Sequence, residues 1–223
     1  VLPWILLDTA TLPGEAGELR LKQRGTEFSI MLGANELMNS RLSGSEEALA
    51  TLAAARLAGR EQPHILIGGL GMGFTLRAAL GSFGAHAQIE VVELVPQVVA
   101  WAKGPIAEVF ADSLDDPRVT VTVADVAAVI VKASARYDSI LLDVDNGPDG
   151  LTIQANDGLY SESGLAAAMR ALRAGGVLAV WSQGPDPRFT QRLGRAGFKT
   201  EEIGVRAGRG RGKRHVIWLA TRP

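Results

Sequence analysis

From Pro63 to the C-terminus, short runs of almost purely apolar residues alternate with stretches of helical periodicity, and that alternation restricts the fold most. HILIG is followed by FTLRAAL, IEVVE by PQVVAWAK, VTVTVAD by VAAVIVKA, and YDSILLD by SESGLAAAMRAL. The series closes with GGVLAVWS, PRFTQRLGRAG, FKTEEIGV and HVIWLAT, which makes seven strands. A strand without a polar face has to be covered on both sides, so the expected core is a mostly parallel α/β sheet with helices on both faces. The last two strands are joined by a loop, not a helix, and the last strand is therefore expected to run antiparallel at one end of the sheet.

The first 42 residues read differently. ELRLKQRG and TEFSIMLG alternate partly and flank Gly25-Thr26, which predicts a small N-terminal β-hairpin region over 1–42, ahead of the main unit over 43–223. A lone hairpin is marginal in water, so residues 19–38 are a candidate contact surface for a homodimer. Ser43-Gly44-Ser45-Glu46 has capping-box spacing, and EEALATLAAARLAG behind it predicts a helix ending at Gly59.

Composition bounds the partners. Hydrophobic residues make up 47% of 223, enough to bury one α/β core with a small appendage. A net charge of −1 supplies no field for nucleic acid or for an anionic membrane. The absence of cysteine excludes disulfides, thiolate nucleophiles and thiolate metal sites, and fits a cytoplasmic location. No apolar run reaches the roughly 18 residues needed to cross a bilayer. VLPWILLD lacks the basic flank and cleavage site of a secretory leader. The histidines, at 64, 86 and 215, have no metal-ligand spacing, so no metal site is expected.

In sheets of this kind ligands bind beyond the carboxyl ends of the strands, and four strand ends here carry notable residues. The first runs Gly68-Gly69-Leu70-Gly71-Met72-Gly73 directly into a helix. The second ends in Glu93, at the distance where an acidic residue grips ribose hydroxyls. A carboxylate suits vicinal hydroxyls because it accepts from both at once. A dinucleotide site requires G-x-G-x-x-G, but the third position falls on Phe74, and no G-K-[ST] follows to make a phosphate loop. Gly69, Gly71, Met72 and Gly73, with Glu93 and Leu94, therefore predict a site for a nucleoside without a pyrophosphate. The third strand ends in Asp125-Val126, where the carboxylate can accept from an exocyclic amine or simply cap the next helix. The fourth ends in Asp143-Val144-Asp145-Asn146-Gly147-Pro148, either a turn-rich loop or the place for chemistry, since a carboxylate there can orient an amine and take its proton.

In this order the four loops resemble the Rossmann-like class I S-adenosylmethionine-dependent methyltransferase fold, and more narrowly its spermidine synthase-like branch. ILIGGLGMGF resembles that branch's glycine motif, VVELVPQVV its ribose-binding strand end, and VTVADVAAVI falls where its adenine-contacting Asp stands. YDSILLDVDNGPDG with GLYSESGLAAAMRALRAGGVLAV resembles its catalytic loop and the following helix and strand. The resemblance covers about residues 28–200. It implies transfer of a methyl or aminopropyl group from S-adenosylmethionine or decarboxylated S-adenosylmethionine to a small-molecule amine acceptor. Under it Glu93 binds the ribose, Asp125 the adenine amino group, and Asp143, with Asp145 beside it, assists the attacking amine.

The chain also departs from the branch's pattern. Gly71 stands where the branch has an Asp that meets the aminopropyl amine, and Asn146 replaces a second loop Asp. SGSEEALATLA lacks the Tyr-His segment before the first helix, and Asn39 falls near a cofactor-touching Gln. These departures leave open ordinary methyl transfer, or a protein that keeps the fold without the activity. The basic loop 206–214 is read as a solvated hairpin tip, with nucleic-acid methylation as the lesser alternative. Trp101 and Trp181 are read as core or pocket wall, Trp181 having the better position for an acceptor site.

Overall fold

The computed structural model describes residues 2–13, 17–144, 148, 157–208 and 211–223. The apolar runs form a seven-stranded sheet in the order β10-β11-β9-β8-β5-β6-β7. Its strands are β5 (His64–Gly68), β6 (Gln88–Glu93), β7 (Val119–Val123), β8 (Tyr137–Leu142), β9 (Leu172–Ser182), β10 (Lys199–Gly208) and β11 (Arg211–Thr221). β5 through β9 pair in parallel, while β11 runs antiparallel to both β9 and β10 and lies between them.

Alternation along the strands sends side chains into two apolar layers. Ile65, Ile67, Val91, Leu141, Val177 and Ala179 face α1 (Gly44–Arg56), α2 (Phe74–Ser82) and α3 (Pro96–Lys103). Leu66, Val92, Ile140, Leu142, Leu178 and Val180 face α5 (Val126–Lys132), α7 (Glu162–Ala171) and α8 (Pro187–Arg195). Two short helices, α4 (Ala107–Phe110) and α6 (Asp157–Tyr160), fill connections. The doubly covered, mostly parallel architecture is the one the apolar runs require.

At the amino ends of the strands Asp138, 1% exposed, accepts from Arg60, from Arg173 at 2.7 Å and from the His64 N–H at 2.8 Å. That clamp accounts for a buried carboxylate at the edge of the sheet opposite the crevice.

The N-terminal region is larger than a hairpin. β2 (Glu18–Arg24) and β3 (Glu27–Leu32) turn at Gly25 as predicted, but β1 (Ile5–Thr11) and β4 (Asn35–Asn39) extend them to a four-stranded antiparallel sheet. β1 is docked onto the main unit by the Trp101 indole N–H, which donates to Asp8 Oδ2 at 2.7 Å. α1 ends at Arg56 with Leu57 as its cap, three residues before the left-handed Gly59. The capping box does not form, because Ser43 Oγ donates to Glu47 at 2.7 Å and Glu46 turns elsewhere. Among the described residues no helix is long and apolar enough to cross a membrane.

Candidate active site

The chain leaves β5 toward β6 and β7 on one side, then returns to β8 on the other. A crevice opens at that reversal, beyond the carboxyl ends of the strands. Gly69 carries the chain over the end of β5 at φ +91°, and a Cβ there would stand 2.6 Å from the Asp143 carbonyl oxygen. Only glycine allows the loops after β5 and β8 to approach this closely. At Gly71, φ +50°, an added Cβ would come within 3.0 Å of the Met38 sulfur. Met38, from β4, thus roofs the glycine turn with a thioether.

Glu93 ends β6 and is 8% exposed. Its Oε2 accepts from the Leu70 N–H and its Oε1 from the Val95 N–H, both at 2.9 Å. The carboxylate therefore pins the glycine turn to the next strand while lining the cavity. Burial pushes its pKa up, opposed by backbone N–H groups of Val95, Leu70, Gly71 and Leu94. Each carboxylate oxygen accepts more than one hydrogen bond, so the role as an anchor leaves lone pairs for a ligand's hydroxyls.

Asp125 caps α5, its Oδ1 accepting from the Ala127 N–H at 2.8 Å, and it lines the same cavity. The cap occupies one oxygen and leaves the other to the crevice.

Asp143 follows β8 directly. Its N–H donates to the Gly68 carbonyl at 3.1 Å, and its Oδ2 accepts from the Thr75 hydroxyl at 2.7 Å. Burial raises its pKa and the Thr75 hydrogen bond pulls the other way. The second carboxylate of the site comes from α1. Glu46 lines the cavity with Asp143, and its pKa is pushed up to about 7, first by burial and then by the Asp143 charge, against a hydrogen bond from Ser45 Oγ at 2.7 Å. Two acidic groups thus line one cavity, and a Glu46 pKa of about 7 suits a general base matched to neutral pH.

Gly69, Gly71, Met72, Gly73, Glu93, Leu94, Asp125, Val126 and Asp143 all line one cavity, as does Trp181 from β9. Asp145 and Asn146 lie outside the described residues. Asn39 does not reach the cavity wall, because its Oδ1 accepts from the Arg41 and Leu42 N–H groups at 3.0 and 3.2 Å and its Nδ2 donates to Glu36. Its neighbour Met38 is the residue that faces the crevice. Sequence reasoning missed Met38, Glu46 and Thr75. The adjacent acids of SEEAL were the available signal, and the capping-box reading absorbed it. Among the described residues no group of three or more His, Asp or Glu side chains could hold a metal ion.

The fold and the crevice define a doubly wound, Rossmann-like α/β protein with a cavity at the topological switch point, where such folds bind ligands. The chain belongs to the spermine/spermidine synthase domain family, whose model matches residues 44–193. It is 35% identical over 124 residues to a polyamine aminopropyltransferase of Mycobacterium tuberculosis, covering 54% of this chain and 23% of that protein. It is 34% identical over 120 residues to putrescine N-methyltransferase 2 of Nicotiana attenuata, covering 53% of this chain and 30% of that one. The chain thus spans about a quarter to a third of the length of these relatives. Among solved structures, a spermidine synthase in complex with the transition-state analogue AdoDATO superposes with a TM-score of 0.76 at 17% identity, over 98% of this chain and 72% of that one.

Proposed function

We propose that this protein transfers an alkyl group from an adenosyl-sulfur nucleoside to a small amine, with Glu46 and Asp143 as the groups that take up the amine's proton. The observation that carries this reading is the meeting of two carboxylates, Glu46 and Asp143, with the glycine turn and Glu93 in one cavity. The buried Glu93 carboxylate fits a vicinal diol, and the free oxygen of Asp125 fits an exocyclic amino group. S-adenosylmethionine or its decarboxylated form supplies the electrophilic carbon next to a sulfonium. An amine reaches the site mostly as ammonium, so it has to lose a proton before its lone pair can attack. Asp143, placed by the β8 end and steadied by Thr75, orients the nitrogen, and the carboxylate pair accepts the proton. The names of the relatives support amine acceptors, since one is an aminopropyltransferase and the other an N-methyltransferase.

Methyl transfer is the form we favour. A transferred aminopropyl group brings its own ammonium, which needs a carboxylate once buried. Over Gly71 this chain presents the Met38 thioether, which gives no such charge. The test is product analysis by mass spectrometry with each of the two donors and a panel of di- and polyamines. Methylated product with S-adenosylmethionine, reduced at least about 100-fold by Asp143→Asn, is expected. Aminopropylated product alone would reverse the donor choice, and no product from either donor would support a fold kept without the activity.

A further inference from the structure

His215 lies on β11, beyond the segment that the family model matches, and is half-buried beside the cavity wall. Its ring stands edge-on to Trp181, with centroids 4.8 Å apart. Its Nδ1 is 3.2 Å from Ser45 Oγ, and Ser45 Oγ in turn donates to Glu46 Oε2 at 2.7 Å. Ser45 is fully buried, so its hydroxyl has been given these partners in place of water. Gly44 makes the contact possible. A Cβ there would lie 3.1 Å from the carbonyl oxygens of both Arg206 and Ala207, so the missing side chain lets the start of α1 seat against β10. β10 pairs with β11 through Val205↔His215, which delivers the imidazole to Ser45.

We infer that Ser45 and His215 form the route by which the proton taken from the acceptor amine leaves the carboxylate pair for solvent. The inference rests on the proposed amine alkylation. After Glu46 has accepted the proton, its carboxyl donates to Ser45 Oγ, while the Ser45 hydroxyl turns to donate to Nδ1 of neutral His215. Transfer along the two hydrogen bonds leaves Glu46 ionised, Ser45 neutral and His215 an imidazolium, which releases its Nε2 proton to water. One proton enters at Glu46 and one leaves from Nε2 of His215, which leaves the Nδ1–H tautomer; tautomer exchange through water then moves the remaining ring proton back to Nε2 and frees Nδ1 to accept again. The charged or titratable groups facing this path are Glu46 and Asp143 from the cavity side, Glu47 from α1 and Lys213 from β11. Burial and then Lys213 hold the His215 pKa below its ordinary value, which favours prompt release of the proton. His215 acts through Glu46 and is therefore a positioning and relay residue, not one that touches substrate.

Histidine 15N NMR tests the connection without turnover. The His215 ring signals are identified by their loss in His215→Gln and followed against pH in wild type, Ser45→Ala and Glu46→Gln. The relay predicts a second inflection near pH 7 as Glu46 takes its proton, absent from both of the other variants. A His215 titration indifferent to both substitutions overturns the relay, whatever the protein transfers. In turnover, His215→Gln should lower kcat about tenfold with KM and donor affinity unchanged, and added imidazole should restore it. Unaltered kcat in His215→Gln, or a loss that imidazole does not relieve and that Ser45→Ala does not share, also overturns it. Should wild type alkylate no amine, the proposed function falls, and the NMR coupling alone decides whether the proton path exists.

Discussion

Withdrawing a carboxylate from water is costly unless something compensates it, and three of the four that line this crevice are compensated differently. Glu93 is held by backbone N–H groups, Asp143 by the Thr75 hydroxyl, and Glu46 by Ser45 together with a retained proton. Glu46 has the least support and the clearest consequence. Its folded-state pKa of about 7 lies above its ordinary value of 4.5, so it costs nothing below about pH 4.5. Stability is then lost as pH rises toward 7, because the unfolded chain ionises first. Glu46→Gln should therefore raise the unfolding free energy by roughly 2 kcal/mol at pH 8, with the gain vanishing near pH 4.5. Chemical denaturation at the two pH values checks this, and an equal gain at both would refute the raised pKa of Glu46. Glu93 and Asp143 were legible in the sequence because strand-end acids after apolar runs have few other uses. Glu46 was not, since S-x-x-E is also a capping signal and only the approach of α1 to β8 shows which role prevails.

At the scale of elements, the seven core strands and most of the helices follow from periodicity, and the misses have identifiable causes. β1 exposes Ile5, Leu6 and Leu7 and has a register shift between Leu6 and Asp8, so its sequence shows no buried face. β4 contains two Asn and a Glu in five residues, a composition that reads as turn. Both are strands by virtue of their partners. β1 is also tethered to the main unit by a side-chain hydrogen bond to Asp8 from Trp101, whose indole is otherwise buried. Asp8→Ala should leave that donor unpaired and speed amide exchange in Ile5–Thr11, while β5 and β6 stay protected. Unchanged exchange in β1 would show that pairing with β2 suffices to hold it.

At the scale of the whole molecule, the switch point gathers groups from both sheets and from the helices around one cavity. A cationic sulfonium bound in this cavity would favour the ionised forms of Glu46 and Asp143, so binding near pH 7 should release a proton from Glu46. Calorimetry at pH 7 in two buffers of different ionisation enthalpy should show proton release with S-adenosylmethionine and none with neutral methylthioadenosine. Equal release with both would separate the carboxylates from the sulfur. The fold and the strand-end residues that line the cavity were readable in advance because local patterns encode them, whereas Met38 over Gly71 joins the four-stranded sheet to the seven-stranded one, and no local pattern encodes that contact. The most direct test of the central claim is the affinity of methylthioadenosine for wild type and for Glu93→Gln at pH 7.5. The structure predicts saturable binding that weakens about 10- to 100-fold in the variant, the loss of a charged hydrogen-bond acceptor for a diol. No binding to the wild type, or equal binding to both, would contradict it.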